Sequence, residues 1–229
     1  MTGTIINAGA IVAAGLLGLL LRRGIPEKIS YSVQNGLGLV VLIIGLQYAI
    51  KADNLVAIGL SLAIGAFLGE LWGWEQKLEN LGERLLKLFK DQESPFAKGF
   101  VSSSLLFCVG AMAVVGALED GLNGNYHILL IKSILDGIFS FLFSASMGVG
   151  VIFSAVPVLL YQGSISLASG LISPYITDAM LNGINSLGGI LITGLSFNLL
   201  HITHMRIANF LPSLLIMPFI IIFLDHIHL

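Results

Sequence analysis

The sequence predicts an all-α polytopic membrane protein, a bundle of about eight transmembrane helices that forms one integral membrane domain over residues 1–229. Three observations support this prediction: the composition, the length of the apolar stretches and the distribution of basic residues. The chain is 56% hydrophobic and only 10% charged, and its mean hydropathy is +0.94. Because a soluble domain carries about 25% charged residues, this composition suits a chain surrounded by lipid.

Eight stretches approach the length of about 20 apolar residues that a helix needs to cross a bilayer. They cover approximately 3–21, 33–50, 54–72, 100–118, 127–145, 148–171, 183–201 and 207–225. The first is expected to be a retained helix, because no basic segment of the kind found in signal peptides precedes it. The stretch 127–145 is less apolar because it contains Lys132 and Asp136, and Pro157 interrupts the stretch 148–171.

Basic residues gather in alternate connections between these stretches. If the N-terminus lies outside, nine of the 11 Lys and Arg residues fall inside: Arg22, Arg23, Lys28, Lys77, Arg84, Lys87, Lys90, Lys98 and Arg206. The outside connections carry Lys51 and the acidic residues Glu119, Asp120 and Asp178. Since cytoplasmic connections are enriched in Lys and Arg, the alternation predicts eight spans with both termini outside.

The longest connection, 73–99, is predicted to contain an amphipathic helix on the cytoplasmic face. Within 75–90, leucines and a phenylalanine recur near helical spacing, and charged residues occupy the remaining positions. This pattern is typical of a helix that lies in a membrane interface, and Trp72 and Trp74 precede it at the predicted interface. The alternative is a solvated connector.

Small residues recur every four positions in two stretches, and the sequence also carries weak internal similarity. The stripes are Ala57, Ser61, Gly65 and Gly69 in the third stretch, and Ser146, Gly150 and Ser154 before and within the sixth. Small faces let helices pack closely in lipid, so these are predicted packing surfaces; a sliding interface or a homo-oligomer contact is the alternative. The segments 11–16 and 190–195 resemble each other, as do 41–69 and 114–141, which leaves a parallel internal repeat open.

Lys132 and Asp136 are the most informative residues of the chain. Their spacing of four places both on one face of a helix, and Asp136 falls near the middle of its span. A charged side chain there costs at least about 2.5–3.5 kcal/mol, so such residues usually face a cavity or a partner on a transport pathway. The alternative is a structural ion pair, with Lys132 extending outward toward the interface.

Other polar residues in the stretches are predicted to converge on this pair. They are Tyr161, Gln162, Asn7, Gln47, Asn185 and Asn198. Pro157 and Gly163 flank Tyr161 and predict a break or hinge in the sixth helix, which would open its carbonyl groups to a central site. A bent but closed helix with amide bonds to its neighbours is the alternative.

The sequence predicts no metal, no cofactor, no catalytic centre and no nucleic-acid partner. The single cysteine, Cys108, lies in an apolar run, where a small buried hydrophobe is the usual role. His201, His204, His226 and His228 lack the spacing of a zinc site. Phosphate-binding, zinc-protease and nucleophile-elbow motifs do not occur in the required context, so an enzyme is not predicted.

Several motifs across nearly the whole chain resemble a bacterial protein family. They are Gly3-Thr4-x-x-Asn7, Gly45, Gly110-Ala111-Met112 with Gly116, Lys132-Ser133-x-x-Asp136-Gly137, Tyr161-Gln162-Gly163, Gly188-Gly189 and Asn209-x-Leu211-Pro212. Together they resemble the YqgA/YdfK-like inner-membrane proteins, a family of uncharacterised function sometimes labelled as transport proteins. The resemblance implies a multi-pass fold in the bacterial cytoplasmic membrane, but no substrate and no site residues.

We therefore expect a transporter or channel for a small solute or an ion, with the Lys132–Asp136 pair at its pathway and Asp136 as a candidate proton acceptor. The alternative is a non-transporting scaffold or regulatory protein that binds a partner or anionic lipid through 75–90. A membrane enzyme that acts on a lipid-borne substrate is disfavoured, since acid–base groups are scarce.

Overall fold

The computed structural model describes residues 1–22, 26–77, 80, 96–109 and 111–226. Across these ranges the regular structure is α-helical or 3₁₀-helical without a β-strand, which confirms the all-α polytopic class. The α-helices are α1 (Thr2–Arg22), α2 (Glu27–Ala49), α3 (Leu55–Trp72), α4 (Phe96–Cys108), α5 (Ala111–Asn123), α6 (His127–Met147), α7 (Ala155–Ile172), α8 (Asp178–Leu199) and α9 (Pro212–His226). The 3₁₀ helices are Val149–Ser154, Ser173–Tyr175 and Ile207–Phe210.

In the described part of the chain, seven helical segments are long and apolar enough to cross a membrane, and α4 with α5 makes an eighth if this bent pair is one span. The seven are Thr2–Arg22, Lys28–Ala49, Leu55–Trp72, His127–Met147, Val149–Tyr175, Asp178–Leu199 and Ile207–Leu224. Each overlaps one predicted stretch. Leu, Ile, Val and Phe side chains are exposed along them, as a surface in contact with lipid requires.

The predicted stretch 100–118 is a bent pair of helices and not one straight span. Helices α4 and α5 differ in direction by 61°, and together they extend beyond the predicted stretch at both ends. Val109 donates its N–H to Leu105 O at 2.9 Å and closes the last turn of α4. The residues on both sides of the bend are equally apolar, so hydropathy alone does not reveal it.

The chain divides into two compact units. The first unit is Met1–Leu37 with Leu81–Tyr175, and the second unit is Gly38–Asn80 with Ile176–Leu229. One boundary, between Leu37 and Gly38, falls within α2, and another, between Tyr175 and Ile176, falls in the connection before α8. The sequence prediction of one integral membrane domain stays a prediction.

Helices α1 and α6 pack side by side in the first unit and run in the same direction. The contacting pairs, in order along both helices, are Gly3 with Leu129, Asn7 with Asp136, Ile11 with Ser140, and Gly15 with Ser144. A Cβ atom on Gly18, near the end of α1, would overlap the carbonyl group of Phe141, so the two backbones approach closely. A parallel pair requires the segments between α1 and α6 to cross the membrane an odd number of times.

The bent pair α4–α5 extends from one end of the first unit to the other. Near the start of α4, Gly99 lies against Met147 at the C-terminal end of α6. Near the end of α5, the carboxylate of Asp120 accepts the N–H of Gly3 at the start of α1. These contacts support a broken span rather than a re-entrant loop, because the pair reaches both ends of the first unit.

The prediction of a break or hinge at Pro157 and Gly163 is wrong, because α7 is continuous through both residues. A 3₁₀ helix covers Val149–Ser154, and α7 then continues unbroken from Ala155 to Ile172. Pro157 is the third residue of α7, where a proline leaves no intrahelical carbonyl without its donor. Gly163 lies in the middle of the same helix. The irregular segment therefore precedes Pro157, and neither Pro157 nor Gly163 interrupts the helix.

The second unit encloses an apolar core between α3, α8 and α9. Its buried members are Ala57, Ile58, Leu187, Met217, Ile221 and Leu224. The part of α2 in this unit packs on α8 through glycines, because a Cβ on Gly45 would lie 2.5 Å from Thr193 Oγ1. A Cβ on Gly189 would similarly lie 2.6 Å from Tyr48 Cβ.

Both predicted stripes of small residues are buried packing surfaces. Their members are Ala57, Ser61, Gly65 and Gly69 in α3, and Ser146, Gly150 and Ser154 around the 3₁₀ helix. A Cβ on Gly69 would overlap the carbonyl oxygen of Asn209, and one on Gly150 would overlap that of Phe96. The predicted packing role is confirmed, because these faces are covered within the chain. The amphipathic helix predicted for 75–90 lies largely outside the described residues.

The close approach of α1 to α6 predicts opposite effects for two glycines of the same helix. Gly18→Ala should lower the free energy of unfolding by about 1–3 kcal/mol, because its methyl group would force the backbones apart. Gly9→Ala should be neutral or stabilising by up to about 1 kcal/mol, since a Cβ there meets nothing within 4 Å and alanine favours helix. Unfolding of the full chain in mixed detergent micelles measures both; equal destabilisation would contradict this packing.

The broken span predicts that Gln76 and Asn123 lie on opposite sides of the membrane. In a Cys108→Ala background, Asn123→Cys should react with a membrane-impermeant maleimide in cells whose cytoplasmic membrane is intact and whose outer envelope has been made permeable to the reagent. Gln76→Cys should react only after the membrane is permeabilised. Both side chains are exposed, so accessibility reports the side of the membrane. Labelling of both cysteines from the same side would indicate a re-entrant pair.

Candidate functional site

Lys132 and Asp136 form an ion pair inside the first unit. Successive turns of α6 bring them together, and Lys132 Nζ lies 2.8 Å from Asp136 Oδ1 and 2.7 Å from Oδ2. Each side chain is only 7% exposed. Lys132 therefore binds Asp136. It does not extend outward to the membrane interface, although the structural alternative assumed that it would.

The pair lies deep in the span. Asp136 follows the first residue of α6, His127, by nine positions, so a rise of about 1.5 Å per residue places it roughly 13 Å along the helix. The hydrocarbon core of a bilayer is about 30 Å thick, so this depth is close to its middle. Water is scarce at that depth, and the two charges depend on each other and on neighbouring helices for their solvation.

Two amide side chains from α1 and α7 complete a polar cluster around the pair. Asn7 Nδ2 donates to Asp136 Oδ2 at 2.9 Å and to Gln162 Oε1 at 3.3 Å. Asn7 and Gln162 are fully buried. The polar cluster is therefore Asn7, Lys132, Asp136 and Gln162, all four of which the sequence predicted, and it joins three helices.

Several polar atoms in and beside the cluster keep unused hydrogen-bonding capacity. Among the described residues, Asn7 Oδ1, Gln162 Nε2, Thr4 Oγ1 and Ser166 Oγ are buried without a hydrogen-bond partner. Thr4 precedes Asn7 by three residues and Ser166 follows Gln162 by four, so each lies one turn from the cluster on its helix. An unsatisfied buried polar group costs about 1–3 kcal/mol, so these atoms favour a polar solute, an ion or water that enters the unit.

Asp120 is a further buried polar residue, at the end of the first unit where α1 begins. It lies in the last turns of α5 and is only 4% exposed. Its carboxylate accepts the Gly3 N–H at 3.0 Å and lies 3.0 Å from the Met1 amino group. The sequence placed Asp120 in a connection on the outside; the structure places it within α5 and buried, and the side of the membrane stays a prediction. An acid beside a Gly/Asn-rich turn resembles a loop residue, and only the contact with α1 reveals its burial.

The other predicted site residues lie outside the polar cluster. Tyr161 is half-buried on α7 beside Gln162, about 100° around the helix from it. Gln47, Asn185 and Asn198 belong to the second unit. Gln47 is exposed and Asn185 is half-buried. Their role in a transport pathway stays a prediction.

Asn198 has a local structural role at the end of α8. Its Nδ2 donates to Met205 O at 2.6 Å, and its Oδ1 accepts from Met205 N and from Thr203 Oγ1, both at 2.9 Å. These bonds close the turn that follows the helix. Within the described ranges, no three His, Cys, Asp or Glu side chains gather where they could hold a metal ion.

A second polar group, at the C-terminal end of α3, was not predicted as a unit. Asn209 Oδ1 accepts the N–H of Glu75 at 2.8 Å, and Asn209 Nδ2 donates to Glu70. Glu75 Oε2 accepts the N–H of Ala208 at 3.0 Å, and Arg206 pairs with Glu70 at 2.9 Å. The sequence marked Asn209 only through the family resemblance, because its partners are more than 130 residues away.

Comparisons with known proteins agree with the resemblance in the motifs. A family model described as "Protein of unknown function (DUF554)" matches residues 2–222. The chain is 32% identical over 219 residues to "Uncharacterized protein YqgA" of Escherichia coli (strain K12), covering 93% of each chain. It is 31% identical over 230 residues to "Uncharacterized membrane protein YdfK" of Bacillus subtilis (strain 168), covering 99% of this chain and 97% of that one. No solved structure matches.

The ion pair predicts that removing one charge is more harmful than removing both. Asp136→Asn keeps an acceptor for Asn7 but leaves the Lys132 ammonium buried without its counter-ion, which should cost about 3–5 kcal/mol of stability. The double variant Lys132→Met with Asp136→Asn should recover most of that loss.

Unfolding of the full chain in mixed micelles measures both variants. The control is Asp178→Asn, an exposed carboxylate at the start of α8 that should change little. A double variant as unstable as the single one would show that the charges are not coupled.

Proposed function

We propose that this chain, which belongs to the DUF554 family of proteins of unknown function, is a transporter or channel for a small solute or an ion. The observation that carries the proposal is the polar cluster, an ion pair and two amides enclosed at mid-span between α1, α6 and α7. A structural ion pair would explain the contact between Lys132 and Asp136. It would not explain the buried polar atoms next to it that have unused hydrogen-bonding capacity.

Energetics support a functional role for the pair. A buried ion pair is a weak stabilising device, since well-packed apolar residues of similar volume are often as stable or more stable. Intramembrane charges are rare because of their insertion cost, and they usually mark transport pathways. A chain that keeps both charges, with Asn7 bonded to the carboxylate, is therefore more consistent with a binding site than with packing alone.

The outer end of the first unit provides the direction of access in this proposal. Thr4 lies on α1 between Gly3, which donates to Asp120, and Asn7 of the polar cluster, and Ser166 lies one turn of α7 from Gln162; all are buried. Gly121 lies against the backbone of Ser166, so α5 borders the proposed path. A polar solute moving along this path would exchange hydrogen bonds with successive side chains instead of meeting hydrocarbon.

The ion pair then acts as the switch of the proposed mechanism. A cationic solute that binds the Asp136 carboxylate competes with Lys132, and a proton on Asp136 removes the charge that holds Lys132. Either event weakens the ion pair between Lys132 and Asp136 on α6. It also changes the charge of the carboxyl group to which Asn7 of α1 donates. Because the cluster joins three helices, a change at one carboxylate alters the packing of all three.

The proposed location is the bacterial cytoplasmic membrane, with both termini outside. This orientation is supported by the sequence, because it would put nine of the 11 basic residues on the inside, where Lys and Arg are enriched. The alternative of a scaffold or regulatory protein depends on 75–90, which lies largely outside the described residues. The proposal involves no catalytic step, and it holds for one copy of the chain as well as for a homo-oligomer.

The proposal predicts that transport requires Lys132 and Asp136 even in a variant whose fold is stable without their charges. In proteoliposomes assayed with protons, alkali cations and small polar metabolites, the full chain should move at least one of them. Lys132→Met with Asp136→Asn should reduce that rate at least about tenfold, which corresponds to the loss of about 1.4 kcal/mol of interaction. The stability of this double variant separates loss of transport from loss of fold.

Asp178→Asn is the matched control for the transport assay and should keep the wild-type rate. Transport at the wild-type rate by the well-folded double variant would overturn the assignment of the pathway to this pair. It would leave Lys132 and Asp136 as a structural contact.

A further inference from the structure

The second unit contains a cavity that the proposed transport does not use. It has a volume of about 260 Å³, room for roughly eight water molecules or a solute of similar size. It is bounded by the α2–α3 connection, the first turns of α8, and α9. The lining residues are Ala52, Asp53, Asn54, Ile58, Ala179, Asn182, Gly183, Ser186, Met217 and Ile221.

The polar edge of this cavity is a built structure and not a chance gap. Asn182 Nδ2 donates to Lys51 O at 3.1 Å and also to the Asp53 carboxylate, which ties α8 to the α2–α3 connection. Asn54 Oδ1 accepts the N–H of Ala57 at 2.9 Å and caps α3. These bonds fix the positions of Asp53 and Asn54 at the edge.

One fully buried hydroxyl belongs to a residue that lines the cavity and has no partner among the described residues. Ser186 is fully buried, and its hydroxyl has no hydrogen-bond partner among the described residues. Several serine and threonine hydroxyls bond to a carbonyl of the preceding turn, as Thr193 does to Gly189 O in the same helix at 2.9 Å, whereas Ser186 does not. The Ser186 hydroxyl is therefore an unpaired donor and acceptor on a residue that lines the cavity.

The charge of the lining selects the kind of ligand. Among the lining residues only Asp53 carries a formal charge, and a carboxylate with one amide donor keeps further acceptor sites. An anion would be repelled there, whereas an ammonium group would be bound. Ile58, Met217 and Ile221 form an apolar wall that a hydrated inorganic cation would not need.

We propose that this cavity binds a small aliphatic ammonium compound that also carries a neutral polar group. Its ammonium group binds Asp53, its carbon chain packs on Ile58, Met217 and Ile221, and its neutral polar group bonds to the Ser186 hydroxyl. This site is independent of the proposed transport at Lys132 and Asp136, because every lining residue belongs to the second unit. Either proposal can fail without the other.

The test compares four six-carbon probes on the full chain in lipid nanodiscs by titration calorimetry, with empty nanodiscs as the blank. The probes are 6-amino-1-hexanol, hexylammonium, hexanol and hexanoate. The amino alcohol should bind most tightly, hexylammonium less tightly, and hexanoate not at all. Equal binding of hexylammonium and hexanoate, or no binding of the amino alcohol above the blank, would overturn the proposal.

Two variants assign the contacts. Asp53→Asn should weaken both ammonium probes at least tenfold and leave hexanol unchanged. Ser186→Ala should weaken the amino alcohol to the affinity of hexylammonium, and leave hexylammonium itself unchanged. Asp178→Asn removes a nearby carboxylate that does not line the cavity, and should change no affinity. An amino alcohol that binds Asp53→Asn as tightly as the wild type would show that it binds elsewhere.

Discussion

A spanning helix meets hydrocarbon on its outer face, so every polar group on that helix must find its partner on a neighbouring helix or within its own turns. The first unit meets this constraint through the contact between α1 and α6. Glycines on α1 let the backbones approach, and the polar side chains of both helices then share one interface. Without that approach, Asn7 could not reach Asp136, and the ion pair would have no support from a second helix.

The same constraint explains why part of the structure could be predicted from sequence. Spans appear as long apolar stretches, and the i,i+4 spacing of Lys132 and Asp136 is a local property of one helix. That some amide side chains would converge on this pair could be predicted, since amides in a span need polar partners. The selection of Asn7 and Gln162 over Gln47 and Asn185 could not, because it depends on which helices become neighbours.

The features that sequence missed all arise from contacts between distant residues. Asp120 has an ordinary loop composition around it, and its burial follows only from the contact with Gly3, 117 positions earlier. The bend between α4 and α5 joins two equally apolar helices, so hydropathy does not change there. Pro157 suggested a hinge, but its effect depends on its position in the helix, and two residues from the start it is harmless.

The parallel contact between α1 and α6 also has a consequence for how the chain is synthesised. Asn7 and Asp136 are separated by 129 residues. At a translation rate of about 5–20 residues per second, α1 is complete roughly 6–26 s before its partner helix leaves the ribosome. During that interval the amide of Asn7 has neither Asp136 nor Gln162 as a hydrogen-bond partner. The newly synthesised α1 therefore depends on the insertion machinery or on another polar group until α6 and α7 have been synthesised.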